Sequence, residues 1–293
     1  MPMIAASSAA ETAGKYGNRV TNLVTTVLKA PPASAECLWH LGTVIGLGQA
    51  ERAALGWMIA DAIMTHRGGK SRVADLWRNA ALTGVKLTGN DRELAAAFVA
   101  AVFGLPPEGK SEVHLTGHVA EWLWYLHALH FDHSSRSIAL LEPPKFNVTE
   151  PGGDGFIVFS DSMTGELSFR LWELKQHVGA SPVSNTVGDA YRQLKAHATR
   201  YLAQLTLIHS TQSGPVGELC SRLGDMWIDC EPQAGAGVGV ASATVPAPTK
   251  CFSTMGSHFP GFSHAGQLEG LLLAVEDLVE LARKVREYLW TVL

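Results

Sequence analysis

The feature that most constrains the fold is a pair of β-rich runs at residues 151–159 and 167–175. The seven residues between them are rich in turn-forming types, so the pair predicts an antiparallel hairpin. Side chains alternate along a strand, and Glu173 and Lys175 therefore project from the same face. Asp154 opens the neighbouring strand and can reach the same place. The hairpin thus predicts a cluster of two carboxylates and one lysine.

This cluster has the composition of a metal-dependent hydrolytic site. Two carboxylates at a strand end suit Mg²⁺ or Mn²⁺, which neutralise phosphate charge and acidify a bound water. A lysine beside them can orient or deprotonate the attacking water, or stabilise the charge that develops on phosphorus. The alternative is a solvent-facing charged pair on an edge strand. Glu173 lies in an apolar run, residues 169–174, which favours a central strand instead.

The pattern resembles that of the PD-(D/E)xK nuclease superfamily, matched here by Asp154 and by Glu173-Leu174-Lys175. Gly153 stands where the proline of the motif's name is expected. The resemblance implies an α/β (α+β) fold with a restriction-endonuclease-like central mixed sheet flanked by helices. It also implies Mg²⁺ (or Mn²⁺) held by Asp154, Glu173 and the backbone carbonyl of Leu174, with Lys175 activating or positioning the water.

Two predicted helices flank the hairpin and carry further candidates. The first, residues 114–131, contains Glu121, and the second, residues 184–209, contains Gln193 and Tyr201. The resemblance implies that Glu121 completes the metal site and that Gln193 lies close to the metal or the nucleic-acid backbone, with Tyr201 as a weaker candidate. Each of these residues is equally typical of the solvent-facing flank of an amphipathic helix.

A second metal-site hypothesis rests on His127, His130 and His133. Helical spacing rotates the third histidine well away from the first, so a shared ion requires the chain to fold back after Phe131. Packing or surface roles are therefore favoured for these histidines. A Gly-Lys-Ser triplet at residues 69–71 lacks the glycine spacing and the preceding strand of a phosphate-binding loop, and it predicts a surface turn.

The remaining chain predicts a helical amino-terminal half and a helical carboxyl terminus. Residues 1–18 are expected to be loosely ordered, and helical patterns dominate up to residue 131. The other expected elements are helices at 50–65 and 90–103, strands at 225–230 and 237–245, a loop at 246–264 and a helix from 266 to the end. We therefore expect a mainly helical region at 1–110, a nuclease-like core at 111–245, and a loop with a terminal helix at 246–293.

Composition limits the classes of partner. The chain of 293 residues is 46% apolar and 17% charged, as expected of a globular protein, and its net charge is −4. No cluster of lysine and arginine stands out, so a nuclease of this sequence needs a basic groove assembled by folding or a partner that grips nucleic acid. The four cysteines are expected to be buried thiols in a reducing compartment. Neither a signal peptide nor a membrane span is apparent, which favours the cytoplasm.

These observations predict a hydrolase, a metal-dependent endonuclease that cuts phosphodiester bonds in nucleic acid, with DNA the expected substrate. The general layout resembles that of nuclease subunits of bacterial antiviral defence systems, Hachiman-type effectors among them, which implies control by a helicase or ATPase partner. The alternative is a non-catalytic nucleic-acid-binding or assembly subunit with a nuclease-like fold. The apolar stripe of the terminal helix is expected to pack on its own domain, and an oligomer or partner surface is its alternative.

Overall fold

A seven-stranded mixed sheet with helices on both faces organises the computed structural model, which describes residues 4–29, 37–145, 154–243 and 250–293. In these ranges the helices are α1 (Ala6–Lys15), α2 (Gln49–Gly68), α3 (Val73–Thr83), α4 (Gly89–Phe103), α5 (Glu112–His130), α6 (Val183–His209), α7 (Pro215–Cys220), α8 (Leu223–Ile228), α9 (Met255–His258) and α10 (Leu278–Trp290). The strands are β1 (Thr25–Lys29), β2 (Cys37–Val44), β3 (Gly104–Leu105), β4 (Glu108–Gly109), β5 (Arg136–Leu141), β6 (Gly155–Asp161), β7 (Leu167–His177), β8 (Ala236–Ser242) and β9 (Leu268–Val275).

The strand order in the large sheet is β1-β2-β9-β8-β7-β6-β5. Strands β5, β6 and β7 form an antiparallel meander, strands β7, β8, β9 and β2 are parallel to one another, and β1 is antiparallel to β2. The chain leaves β7, passes through α6, α7 and α8, and returns as β8 beside β7. The predicted hairpin and the predicted mixed sheet flanked by helices are both confirmed. None of the helices in the described ranges is both long and apolar enough to span a membrane.

Alternation along β7 divides its side chains between two core layers. Phe169 and Leu171 pack with α6 in one layer, and Trp172 and Leu174 pack with α5 in the other. By the same period of two, Glu173 and Lys175 project toward the α6 layer. The face of the sheet that carries the predicted site is therefore the one that α6 covers.

Two glycines let α5 lie close against the opposite face of the sheet. A Cβ at Gly155 would collide with the indole ring of Trp124, which belongs to α5. A Cβ at Gly239 would lie 2.6 Å from Leu174 and 3.1 Å from Trp124. Without side chains at these two positions the ring reaches the backbone of β6 and β8, and this contact sets the height of α5 above the strands that carry the site.

The amino-terminal region contains strands that helical periodicity did not predict. Residues 25–29 and 37–44 form β1 and β2, which extend the sheet beyond β9. Conversely, residues 6–15, within the stretch expected to be loosely ordered, form α1. Its Ala6, Ala9 and Ala13 are buried at helical spacing, because alanine combines high helix propensity with a small volume. Residues 1–3 and 30–36 lie outside the described residues.

The carboxyl-terminal prediction was wrong over its first half. Residues 268–275 form β9, and only residues 278–290 form the helix α10. A parallel strand buried on both faces is a continuous apolar run, and such a run also satisfies helical spacing. Most of the strand expected at 225–230 instead belongs to the short helix α8, which ends at Ile228. Residues 255–258 of the expected loop form α9. The end of the strand expected at 237–245, including Val245, lies outside the described residues.

A buried charge cluster links three strands at the sheet edge where β7 and β9 begin. Glu269 accepts from Arg136 Nη1 at 2.7 Å and from Arg170 Nε at 3.2 Å, and its side chain is only 15% exposed. Burial by itself raises the pKa of Glu269, but the two guanidinium groups more than offset it, and the pKa is lowered. The cluster therefore stabilises the fold while Glu269 is ionised.

The variant Glu269→Gln is expected to lower the free energy of unfolding at neutral pH by about 3 kcal/mol, because it removes one partner of a buried ion pair. A carboxyl group whose pKa is lowered by folding stabilises the protein at pH values above its unfolded-state pKa of about 4.3. That stability is lost as the pH falls through the folded-state pKa. The free energy of unfolding, measured in urea, should therefore fall more steeply between pH 7 and pH 3 for the wild type than for the variant. Glu280→Gln, on the surface of α10, is the control and should change stability by under about 0.5 kcal/mol.

The variant Gly155→Ala is expected to destabilise the protein by about 1–3 kcal/mol, because its Cβ overpacks the contact with Trp124. Gly188→Ala in α6 is the matched control. Its Cβ would meet only the flexible Arg192 side chain at 3.5 Å, so higher helix propensity should stabilise the protein by about 0.5–1 kcal/mol. Equal effects of the two substitutions in thermal unfolding would contradict this account of α5 packing.

Candidate active site

The register of β6 and β7 places the predicted carboxylates next to each other. Gly155 pairs with Trp172 across the hairpin, so Asp154 falls beside Glu173. Oδ2 of Asp154 accepts the backbone N–H of Leu174 at 2.9 Å, and the Asp154 carboxylate is close enough to raise the pKa of Glu173. The main chain of β7 thus holds Asp154 against the side chain of Glu173. The residues Pro151, Gly152 and Gly153 of the motif lie outside the described residues.

Lys175 and Gln193 complete the cluster from β7 and α6. The Nζ of Lys175 donates to Oε1 of Glu173 at 2.7 Å and to Oε1 of Gln193 at 2.9 Å. Tyr201 lies two turns further along α6, where the charge of Glu173 adds to burial in raising its pKa. The structure therefore brings together Asp154, Glu173, Lys175 and Gln193, with Gln193 in contact with the lysine rather than with the carboxylates.

Burial of two neighbouring carboxyl groups raises the pKa of both. Burial raises the pKa of Asp154, and the charge of Glu121 adds to this. Burial likewise raises the pKa of Glu173, with the Asp154 carboxylate as the next cause. The pKa of Lys175 is lowered by burial, but the Glu173 carboxylate outweighs this and the net shift is upward. The lysine is thus held as an ammonium ion beside carboxyls that resist ionisation.

A carboxylate oxygen of Glu173 offers a place for a cation. Oε2 of Glu173 is buried and receives no N–H or O–H from the described residues, and the side chain is 0% exposed. Two buried carboxylates side by side repel each other, so the pair favours a shared proton or a cation between them. Hard carboxylate oxygens are the ligands that Mg²⁺ prefers, and it commonly takes one or two carboxylates with water and phosphate oxygens. Asp154 and Glu173 fit such an ion.

Glu121 stands apart from this pair. Within the described ranges, no three histidine, cysteine, aspartate or glutamate side chains lie close enough together to hold a metal ion. The alternation of β7 explains the separation, because α5 packs on the Trp172 and Leu174 face whereas Glu173 projects toward α6. The Glu121 carboxylate still raises the pKa of Asp154, so it lies within electrostatic reach. Its role as a metal ligand stays a prediction.

A buried histidine orients Glu121. Nε2 of His118 faces two donors, Trp122 Nε1 at 2.9 Å and Arg67 Nη2 at 3.1 Å, so this nitrogen must accept. Nδ1 therefore carries the ring proton and donates to Oε2 of Glu121 at 3.3 Å. Burial holds the pKa of His118 well below its usual value, and burial raises the pKa of Glu121 to about 7. The contact is thus a hydrogen bond from a neutral imidazole rather than an ion pair.

The three histidines of the alternative metal site point to different partners. Nε2 of His127 lies 3.0 Å from Thr26 Oγ1. Nδ1 of His130 accepts the backbone N–H of Val20 at 3.1 Å, and Nε2 of His133 lies 2.8 Å from the carbonyl oxygen of Ala128. Each of the three histidines thus has a hydrogen-bonding partner of its own.

Two clefts reach the cluster from different sides. A cleft of about 640 Å³ is lined by Asp154 and Tyr201, and a smaller one of about 210 Å³ is lined by Glu121 and Lys175. The larger cleft also contains Arg67 and Lys145, which sequence reasoning did not select. Arg67 falls at the end of α2, next to residues that predicted a surface turn, and the sequence around Lys145 carries no motif.

Comparison with models of known protein families finds no match, and comparison with curated proteins finds no relative. What the cluster does is therefore inferred from its geometry and its chemistry.

The variant Asp154→Asn is expected to raise the melting temperature of the protein in EDTA, because the amide can still accept from Leu174 and no longer repels Glu173. Mg²⁺ at about 100 times its Kd should add about 2.7 kcal/mol to the unfolding free energy of the wild type and little to that of the variant. Differential scanning fluorimetry measures both effects. The control is Asp189→Asn, an exposed residue of α6, which should keep the full Mg²⁺ shift.

Proposed function

We propose that the protein is a metal-dependent nuclease that hydrolyses phosphodiester bonds in nucleic acid, with DNA as the expected substrate. The observation that supports this most strongly is the convergence of Asp154, Glu173 and Lys175 on two adjacent strands. In this arrangement Lys175 Nζ lies 2.7 Å from Glu173 Oε1. Asp154 accepts the backbone N–H of Leu174, which follows Glu173 on β7. Two acids and an ammonium in one buried place are the groups that phosphoryl chemistry needs.

The topology around the cluster gives independent support. In chain order, α5 is followed by the antiparallel strands β5, β6 and β7, then by α6 and by the parallel strand β8. This is the αβββαβ order of the superfamily that the sequence motif resembles. The acids and the lysine lie on the second and third strands of that unit, where the resemblance implies them.

Each residue has a distinct task in this proposal. Asp154 and Glu173 would hold a divalent ion, which would supply a Lewis acid and lower the pKa of a bound water. The Leu174 N–H fixes the Asp154 carboxylate in place. Lys175 directs two of its three N–H groups to Glu173 and Gln193, and it can direct the third to the attacking water or to a phosphate oxygen. Gln193 is a positioning residue, since it contacts the lysine.

We also propose that a partner protein, such as a helicase or ATPase subunit, delivers the nucleic acid, as in antiviral defence effectors. The net charge of −4 gives the chain little long-range attraction for a polyanion. The four cysteines are free in the structure, which supports a reducing, cytoplasmic setting.

The variants Glu173→Gln and Lys175→Ala test the proposal. Glu173→Gln should reduce Mg²⁺-dependent cleavage of a labelled oligonucleotide to background, because it removes a charged ligand. Lys175→Ala should reduce the rate by about 10²-fold or more, the usual contribution of a positioned acid–base group. Lys15→Ala, an exposed residue of α1, is the control and should cut like the wild type.

Circular dichroism should show unchanged folding for all three variants. Cleavage by Glu173→Gln at the wild-type rate would rule out the assigned site. Nucleic-acid binding without cleavage by the wild type, in Mg²⁺ and in Mn²⁺, would instead identify a non-catalytic nucleic-acid-binding subunit with the same fold.

A further inference from the structure

The larger cleft beside Asp154 has the size and position of a substrate site. Its volume of about 640 Å³ lies in the range of pockets that hold one small molecule, and Asp154 and Gly155 form part of its wall. Tyr201, two turns beyond Gln193 on α6, lines the same cleft. A phosphate group that enters it therefore comes beside Asp154.

Few charged side chains line this cleft. Arg67 and Lys145 are the cations among the described lining residues, and both act on the charge of Glu121. Glu142 and Asp154 are the acids of the same lining. Proteins that bind duplex DNA typically neutralise about 6–10 phosphates along a basic surface. Two cations beside the reaction site suit the one or two phosphates that flank a scissile bond.

The outer wall of the cleft is apolar and open to solvent. Leu207 is 79% exposed and Ile208 is 58% exposed near the end of α6, and the exposed Pro143 lines the same cleft. A duplex hides the faces of its bases by stacking, and it presents mainly phosphates, sugars and base edges. Unstacked bases of a single strand present apolar faces that can pack against such a wall.

From these observations we infer that the cleft formed by Asp154, Arg67, Lys145, Pro143, Leu207 and Ile208 binds single-stranded nucleic acid, with phosphates near the two cations and a base against the apolar wall. The inference rests on the proposed nuclease function and adds the form of the substrate. It also agrees with the low overall charge, because base packing replaces part of the electrostatic attraction that a duplex binder needs.

The test uses the full-length Glu173→Gln protein, which is expected to bind without cutting, and measures fluorescence anisotropy in Mg²⁺. The probes are a labelled single-stranded DNA, a single-stranded RNA of the same sequence, and the DNA duplex. At least one single strand should bind about 10-fold more tightly than the duplex, which corresponds to about 1.4 kcal/mol, within the worth of one stacked base. The comparison of DNA with RNA identifies the sugar that is preferred.

A second substitution in the same background locates the site. Leu207→Glu should weaken single-strand binding by about 10-fold or more, since it replaces apolar surface with a repelling charge, and Leu207→Ala should weaken it less. Ile228→Glu is the matched control, because Ile228 is 67% exposed on α8 and does not line the cleft. It should leave binding within about 2-fold.

Different results separate the two proposals. Preferred binding and cutting of the duplex by the wild type would overturn the single-strand inference and leave the nuclease proposal standing. Single-strand binding that Leu207→Glu weakens, without cutting by the wild type in Mg²⁺ or Mn²⁺, would overturn the nuclease proposal and support the cleft. Equal effects of Leu207→Glu and Ile228→Glu, or no binding of any probe, would overturn the inference.

Discussion

The structure depends on the enforced proximity of two buried carboxyl groups, those of Asp154 and Glu173. An isolated carboxylate resists burial because it loses its hydration, and a second one beside it adds repulsion. The fold offsets this cost with the backbone N–H of Leu174 on one acid and the ammonium group of Lys175 on the other. Within the described part of the chain, these contacts leave one buried Glu173 oxygen without a donor, and a bound cation is what the proposal places there.

The sheet and both helical layers serve that arrangement. The antiparallel register of β6 and β7 sets the acids side by side, and α6 brings Gln193 to the lysine from the covered face. On the other face, two glycines admit Trp124 and hold α5 close, so Glu121 reaches Asp154 electrostatically although it projects from the opposite layer. The Glu269 cluster links β5, β7 and β9 through its ion pairs with Arg136 and Arg170.

Much of the site followed from local sequence rules, and the parts that did not depend on long-range packing. The period of two in a strand is enough to put Glu173 and Lys175 on one face, and turn residues are enough to predict the hairpin beside Asp154. Local patterns do not say which face of a sheet a helix covers, so the separation of Glu121 from the acids was not predictable. Residues 268–275 satisfied helical spacing and became a strand, because burial between β2 and β8 decides their structure. Folding brings Arg67 and Lys145 next to Asp154, and no sequence motif predicts their position.

The most direct test of the central claim is anomalous diffraction from crystals of the protein soaked in Mn²⁺, which shares the oxygen preference of Mg²⁺. The account predicts a peak between the carboxyl groups of Asp154 and Glu173, with metal–oxygen distances of about 2.1 Å, and no such peak in the Asp154→Asn variant. A peak at His127, His130 or His133, or no peak between the two acids at saturating Mn²⁺, would contradict it.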